Sequence, residues 1–191
     1  MAATQSQMLP LGTAAPEFDL PDPDGRHYTL ADFDEASALV VAFICNHCPF
    51  VKHIRAGIAA YAKDYAQQDV AMVAINANDI DNYPADAPPL MRDEARTAGY
   101  TFPYLYDETQ EVAKNYLAAC TPDFYLFNRE RQLAYRGQFD GARPGNGVPV
   151  TGADLRAATD AILAGQQPVS EQVPALGCNI KWKAGNAPDY F

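Results

Sequence analysis

The residues best suited to chemistry are Cys45 and Cys48, separated by Asn46-His47 and followed at once by Pro49. Two thiols at this spacing can close a disulfide on one another, and the thiolate of either is a nucleophile. The apolar run Leu39-Val40-Val41-Ala42-Phe43-Ile44 before them reads as a buried strand. After them, Val51, Ile54, Ile58, Tyr61, Ala62 and Tyr65 recur at the spacing of an amphipathic helix reaching Gln68. Proline suits the first turn of a helix, so the pair lies at a strand-to-helix turn. There the free amide hydrogens and the positive dipole end stabilise an anion. His47 adds an imidazole beside Cys48, and stabilising the reduced thiolate makes a dithiol couple more oxidising. Redox exchange is the chemistry expected.

A zinc or cluster site built from Cys45, His47, Cys48 and His53 is the competing chemistry. Such close neighbours are cramped for tetrahedral ligation and the chain has no second CxxC, so no metal and no cofactor are expected. Cys120, two residues before Pro122, is a candidate third redox cysteine, whereas Cys178 reads as a structural residue of the tail. Lys52 could add positive potential near the thiols, and His53 reads as part of a solvated helix face. Arg136 and Arg143 read as surface salt-bridging residues, and Asp123 as a turn cap or proton-transfer group.

The elements that must position these groups follow in order. Residues 1–11 read as a loose arm, and Phe18, Leu20 and His27 to Leu30 as a hairpin turning at Asp24-Gly25. Val70 to Ile75 is a second buried strand, so strand, helix and strand make a right-handed parallel crossover. Asn76 to Pro89 reads as a loop at the carboxyl end of that strand, long enough to be functional. A helix from Leu90 to Ala98 ends at Gly99. Phe102 to Tyr106 reads as an edge strand, and Asp107 to Ala119 as a helix capped by Asp107. Phe124 to Phe127 and Leu133 to Arg136 form an antiparallel hairpin, followed by an irregular loop and a helix from Thr151 to Ala164. Residues 165–191 form a C-terminal extension whose Trp182, Tyr190 and Phe191 should pack on the body.

With 191 residues, one domain spanning 1–191 is the default. Acids number 24 against 14 bases, a net charge of -10 with no basic block, which excludes nucleic acid and anionic membrane surfaces as partners. No stretch reaches the roughly 18 apolar residues of a membrane span. The N-terminus lacks the basic start and apolar core of a secretory signal, so a cytoplasmic location is expected. Four cysteines in that reducing compartment point to catalysis, redox sensing or metal before a structural framework.

The order strand, CxxC, helix, strand, helix, Thr121-Pro122, hairpin, helix resembles the thioredoxin fold, an α/β architecture with a central mixed sheet flanked by helices. The resemblance implies a cis Pro122 beside the CxxC, with Thr121 facing the disulfide. Gly12-Thr13-Ala14-Ala15-Pro16-Glu17-Phe18-Asp19-Leu20 and Asn46-His47-Cys48-Pro49-Phe50-Val51-Lys52 are similar to the peroxiredoxin-like subgroup of the alkyl hydroperoxide reductase and thiol-specific antioxidant branch. So are Thr121-Pro122-Asp123 and Gly177-Cys178-Asn179-Ile180-Lys181-Trp182. This implies a thiol-disulfide oxidoreductase of redox homeostasis, with Cys45 as the exposed attacking thiolate and Cys48 resolving. His47 occupies the place of the histidine in oxidising thioredoxin-fold centres. Protein or small-molecule disulfides would be the substrates, a thioredoxin- or glutathione-type thiol the reductant, and a homodimer a candidate assembly.

Conventional peroxiredoxins carry a PxxxTxxC pattern; here Val41 and Cys45 take the proline and threonine places, and Thr121-Pro122 displaces the later arginine. A thiol peroxidase with Cys48 as peroxidatic cysteine is thus the second reading. A non-catalytic redox sensor or metal-binding module is the third.

Overall fold

The computed structural model describes residues 3–191. Strand β1 (Ala3–Gln5) is followed by the hairpin of β2 (Asp19–Pro21) and β3 (His27–Thr29), which turns at Asp24 and Gly25. Next come β4 (Ala38–Phe43), α1 (Pro49–Ala66) and β5 (Val70–Asn76). Then follow α2 (Pro88–Ala98), β6 (Tyr104–Tyr106) and α3 (Glu111–Asn115). The chain continues through β7 (Cys120–Thr121), β8 (Asp123–Phe127) and β9 (Leu133–Gly137), and closes with α4 (Ala153–Leu163) and β10 (Leu176–Asn179).

The main sheet runs β6-β5-β4-β8-β9, parallel across its first two pairings and antiparallel across the others. Strand β4 is central, which is why all six of its residues are apolar and buried. Its alternation divides the interior: Val40 and Ala42 join α1 and α4 on one face, while Leu39, Val41 and Phe43 join Tyr116 and Ile180 on the other. Helix α1 buries Val51, Ile54, Ile58, Tyr61, Ala62 and Tyr65, the six positions its periodicity marks. Strand β6, which directly follows Pro103, lies at the sheet edge, as the sequence implies. Among the described residues, no helix is long and apolar enough to cross a membrane.

Two expectations are corrected. The N-terminal arm is not loose: β1 pairs antiparallel with β10, Ser6 exchanges hydrogen bonds with Ala175, and Leu9 is buried. Met1 and Ala2 lie outside the described residues. The helix expected over 107–119 is reduced to Glu111–Asn115, because Gln110 and Leu117 adopt left-handed backbone with φ of 65° and 52°. Asp107 therefore caps from a distance, its Oδ2 accepting the amide of Ala113 at 2.8 Å.

The tail does pack on the body. Strand β10 lies between β1 and β7 in a three-stranded sheet, Trp182 sits against the Ile180 side of the core, and Tyr190 donates to the Ala118 carbonyl at 3.2 Å.

Candidate redox site

Strand β4 delivers the chain through Ile44 to Cys45, and Cys48 is the N-cap of α1 with Pro49 at the first helical position. Across from them the Thr121–Pro122 peptide is cis, between β7 and β8. Thr121 touches both sulfurs: its Oγ1 is 3.4 Å from Cys45 Sγ, and its carbonyl accepts from Cys48 Sγ at 3.2 Å. The residues named from sequence, Cys45, Cys48, Thr121 and Pro122, thus meet at the end of the central strand.

Both thiols are free and almost fully enclosed, Cys45 at 1% and Cys48 at 0% exposure. The expectation of an exposed Cys45 is therefore corrected: the loop after β5 and the tail cover the turn. The two sulfurs also divide the charge between them. The hydrogen bond from Cys45 lowers the Cys48 thiol against the opposing effect of burial, and Thr121 and the Val51 amide of α1 lower it further. Cys45 is pushed up by giving that hydrogen bond, by burial and by the negative charge of Asp86. Of the two thiols, Cys48 is the more easily ionised and Cys45 the one that keeps its proton longer.

His47 does not serve Cys48 directly. Its Nδ1 lies 2.6 Å from Asp86 Oδ2 and 3.9 Å from Cys45 Sγ, and Nε2 has no hydrogen-bond partner among the described residues. The imidazole stacks on Tyr83 at 5.6 Å, and Lys181 of the tail covers that ring from 5.6 Å.

Asp86, which the sequence did not mark, organises the turn. It is wholly buried in the loop that precedes α2. Its Oδ1 accepts the amides of Asn46 and His47 at 2.8 and 3.2 Å, and its Oδ2 accepts from Asn78 at 2.7 Å as well as from His47. Burial opposes its charge, but the hydrogen bonds from His47 and Asn78 outweigh it and hold the carboxyl below its usual range. Tyr104 and Asn46 complete the network, with the hydroxyl donating to Asn46 Oδ1 at 3.0 Å. The one signal in the sequence was the crowd of Asn and Asp after a buried strand.

Cys45 Sγ, His47 Nδ1 and an Asp86 oxygen lie within 4.8 Å of one another, the only such donor group among the described residues. The 2.6 Å between nitrogen and carboxylate is a hydrogen-bond separation. It is shorter than the roughly 3.3 Å between ligands on one tetrahedral ion. The donors are disposed for proton sharing.

The remaining candidates fall outside this centre. Lys52 and His53 are exposed on α1. Arg143 donates to the Asp140 and Ala142 carbonyls and to Gln138, and Arg136 to Gln172 of the tail, so hydrogen bonds replace the expected surface ion pairs. Cys120 points toward the Pro122 and Ala175 carbonyls at 3.8 and 3.9 Å, and burial raises its thiol. Cys178 stands in β10 directly opposite Thr121. A cleft of about 360 Å³ opens beside His47, lined by Asn46, Lys52, Arg55, Leu90 and Glu94.

Residues 11–136 match the model of the AhpC/TSA family. The crystal structure of a hypothetical protein from Sinorhizobium meliloti shares 56% identity over 95% of this chain and 100% of its own, with a TM-score of 0.94. An uncharacterized conserved protein from Geobacillus kaustophilus shares 53% identity over 96% and 97%, at 0.93. A thiol:disulfide interchange protein of the thioredoxin family from Chlorobium tepidum is similar over 80% of this chain and 97% of its own, at 17% identity and a TM-score of 0.62. The fold is thioredoxin-like. No curated protein sequence matches the chain.

Proposed function

The chain belongs to the AhpC/TSA family, and from that premise we propose that it is a thiol-disulfide oxidoreductase working through Cys45 and Cys48. The observation that carries the reading is the position of Cys48 as N-cap of α1, where Cys45, Thr121 and the Val51 amide all favour its thiolate. Cys48 attacks one sulfur of a disulfide substrate, forming a mixed disulfide and expelling a thiolate. Cys45 then gives up its proton and attacks Cys48 Sγ, releasing the second product thiol and leaving a Cys45–Cys48 disulfide. A small thiol or a thioredoxin-type reductant returns the pair to dithiol. The burial of both sulfurs favours small disulfides over folded proteins as substrates.

The same burial favours a second reading, since hydrogen peroxide is smaller still. Cys48 would displace water from it and become a sulfenic acid, which Cys45 would condense into the same disulfide with loss of a second water.

One experiment separates these readings. Treatment with oxidised glutathione should remove two of the four thiols, and Cys45→Ser should still take glutathione onto Cys48 but form no Cys45–Cys48 disulfide. Undiminished exchange by Cys48→Ser would overturn the assignment. A sulfenic adduct trapped on Cys48 of Cys45→Ser after brief, equimolar peroxide would move the function to the peroxidase reading.

A further inference from the structure

We propose that Cys178 is a third member of the redox centre, able to take over Cys48 from Cys45 by internal disulfide exchange. This rests on the thiol-exchange reading above. The geometry behind it is the register of β10. Cys178 is paired with Thr121 across the β7 ladder, and the Thr121 carbonyl is the group to which Cys48 Sγ donates at 3.2 Å. Cys48 and Cys178 therefore flank one residue, and both belong to the apolar cluster that contains Cys45.

The closeness is built into the strand. A Cβ at Gly177 would fall 1.9 Å from the Thr121 carbonyl oxygen and 2.6 Å from its carbon, so any other residue would push β10 off the centre. Cys120 is in the same small sheet, yet its sulfur is directed to the Pro122 and Ala175 carbonyls. Cys178, and not Cys120, shares the buried apolar cluster of Cys45 and Cys48.

The step is an isomerisation. Cys178 Sγ attacks Cys48 Sγ of the Cys45–Cys48 disulfide; the Cys48–Cys178 bond forms, the Cys45–Cys48 bond breaks, and the proton of Cys178 ends on Cys45. No electrons enter or leave, and no outside oxidant is needed. Thr121 Oγ1, 3.4 Å from Cys45 Sγ, is placed to stabilise the leaving thiolate. The reduced state holds the step off. Burial raises the Cys178 thiol, and so do its hydrogen bond with Cys48 and the Cys48 charge, while Lys181 opposes them. Once Cys48 is in a disulfide its charge is gone, and Cys178 becomes easier to ionise. Oxidation of the centre thus activates the residue that relays it.

The test uses the full chain oxidised with oxidised glutathione, quenched with acid, alkylated and digested with trypsin without reduction. Cys45 and Cys48 fall in peptide 27–52, Cys120 in 115–129 and Cys178 in 157–181. Wild type should yield a 27–52 to 157–181 cross-link, and Cys45→Ser should yield it as the dominant product with loss of bound glutathione. Cys178→Ser should retain only the link within 27–52. If Cys45→Ser keeps glutathione on Cys48 without the cross-link while wild type closes Cys45–Cys48, the relay is overturned and the exchange reading stands. If wild type retains all four thiols, both fall.

Discussion

Replacing Asp86 by Asn tests the organisation of the site most sharply, because it keeps the shape and removes only the charge and one acceptor. The carboxylate accepts four hydrogen bonds, two on each oxygen, and has no exposure to water. An amide can satisfy one pair; whichever way it is turned, its NH2 faces two donors. Hydrogen bonds to charged groups contribute about 1.5–3 kcal/mol each, and they are not additive within one network. Loss of two should therefore cost roughly 3–5 kcal/mol, a large share of the 5–15 kcal/mol stability typical of a domain. The electrostatic effect has the opposite benefit for one thiol. The Asp86 charge is among the causes that raise Cys45, so its removal should bring Cys45 ionisation down. Urea unfolding would read the first effect, and thiolate absorbance against pH, with Cys48→Ser as background, the second. A loss of stability below about 1 kcal/mol, the scale of one ordinary hydrogen bond, with an unmoved Cys45 titration would refute Asp86 as the organiser of the turn.

Gly177→Ala should lower stability and loosen the tail, since its Cβ would collide with the Thr121 backbone, which cannot swing aside as a side chain could. Overpacking of this kind costs about 1–3 kcal/mol or more, and faster hydrogen exchange at β1 and β10 would accompany it; an unchanged unfolding midpoint would sink the close-approach argument. Asp123 is fully buried, and burial raises its carboxyl well above the usual value despite the hydrogen bond from Tyr125. The folded chain then holds a proton that the unfolded chain releases near pH 4, so this residue contributes stability that is lost as pH rises from there, at up to about 1.4 kcal/mol per pH unit. The stability of Asp123→Asn relative to wild type should accordingly improve with pH above about 4; a difference independent of pH would show that Asp123 is ionised in the fold.

What the sequence revealed of this molecule divides by distance along the chain. The buried strand β4, the Cys45–Cys48 pair and the amphipathic face of α1 are local patterns, each set by neighbours within a few residues, and the six inward positions of α1 could be read one by one. The division of charge was only half legible. A proline after Cys48 announces a helix start, but which sulfur is covered depends on segments that fold over it from elsewhere. Asp86 was invisible for a stronger reason. It is 40 residues from Asn46, in a proline-rich loop where an acid reads as solvated, and nothing local distinguishes a buried carboxylate from an exposed one until its donors are known.

Cys178 carries that lesson further, because its meaning depends on register. A one-residue slip of β10 against β7 would place Gly177 or Asn179 opposite Thr121 and turn the thiol to the other face. The register is held by contacts remote from the thiols: Asn78 Oδ1 accepts the Lys181 amide, the Asp79 amide donates to the Lys181 carbonyl, and Gln110 donates to that same carbonyl. The loop that carries Asp86 thus also anchors the strand that carries Cys178. The hydrogen bonds that shape the turn around Cys45 and those that seat the third cysteine belong to one network. Mutations along it should therefore shift the distribution of disulfides as well as the stability of the fold.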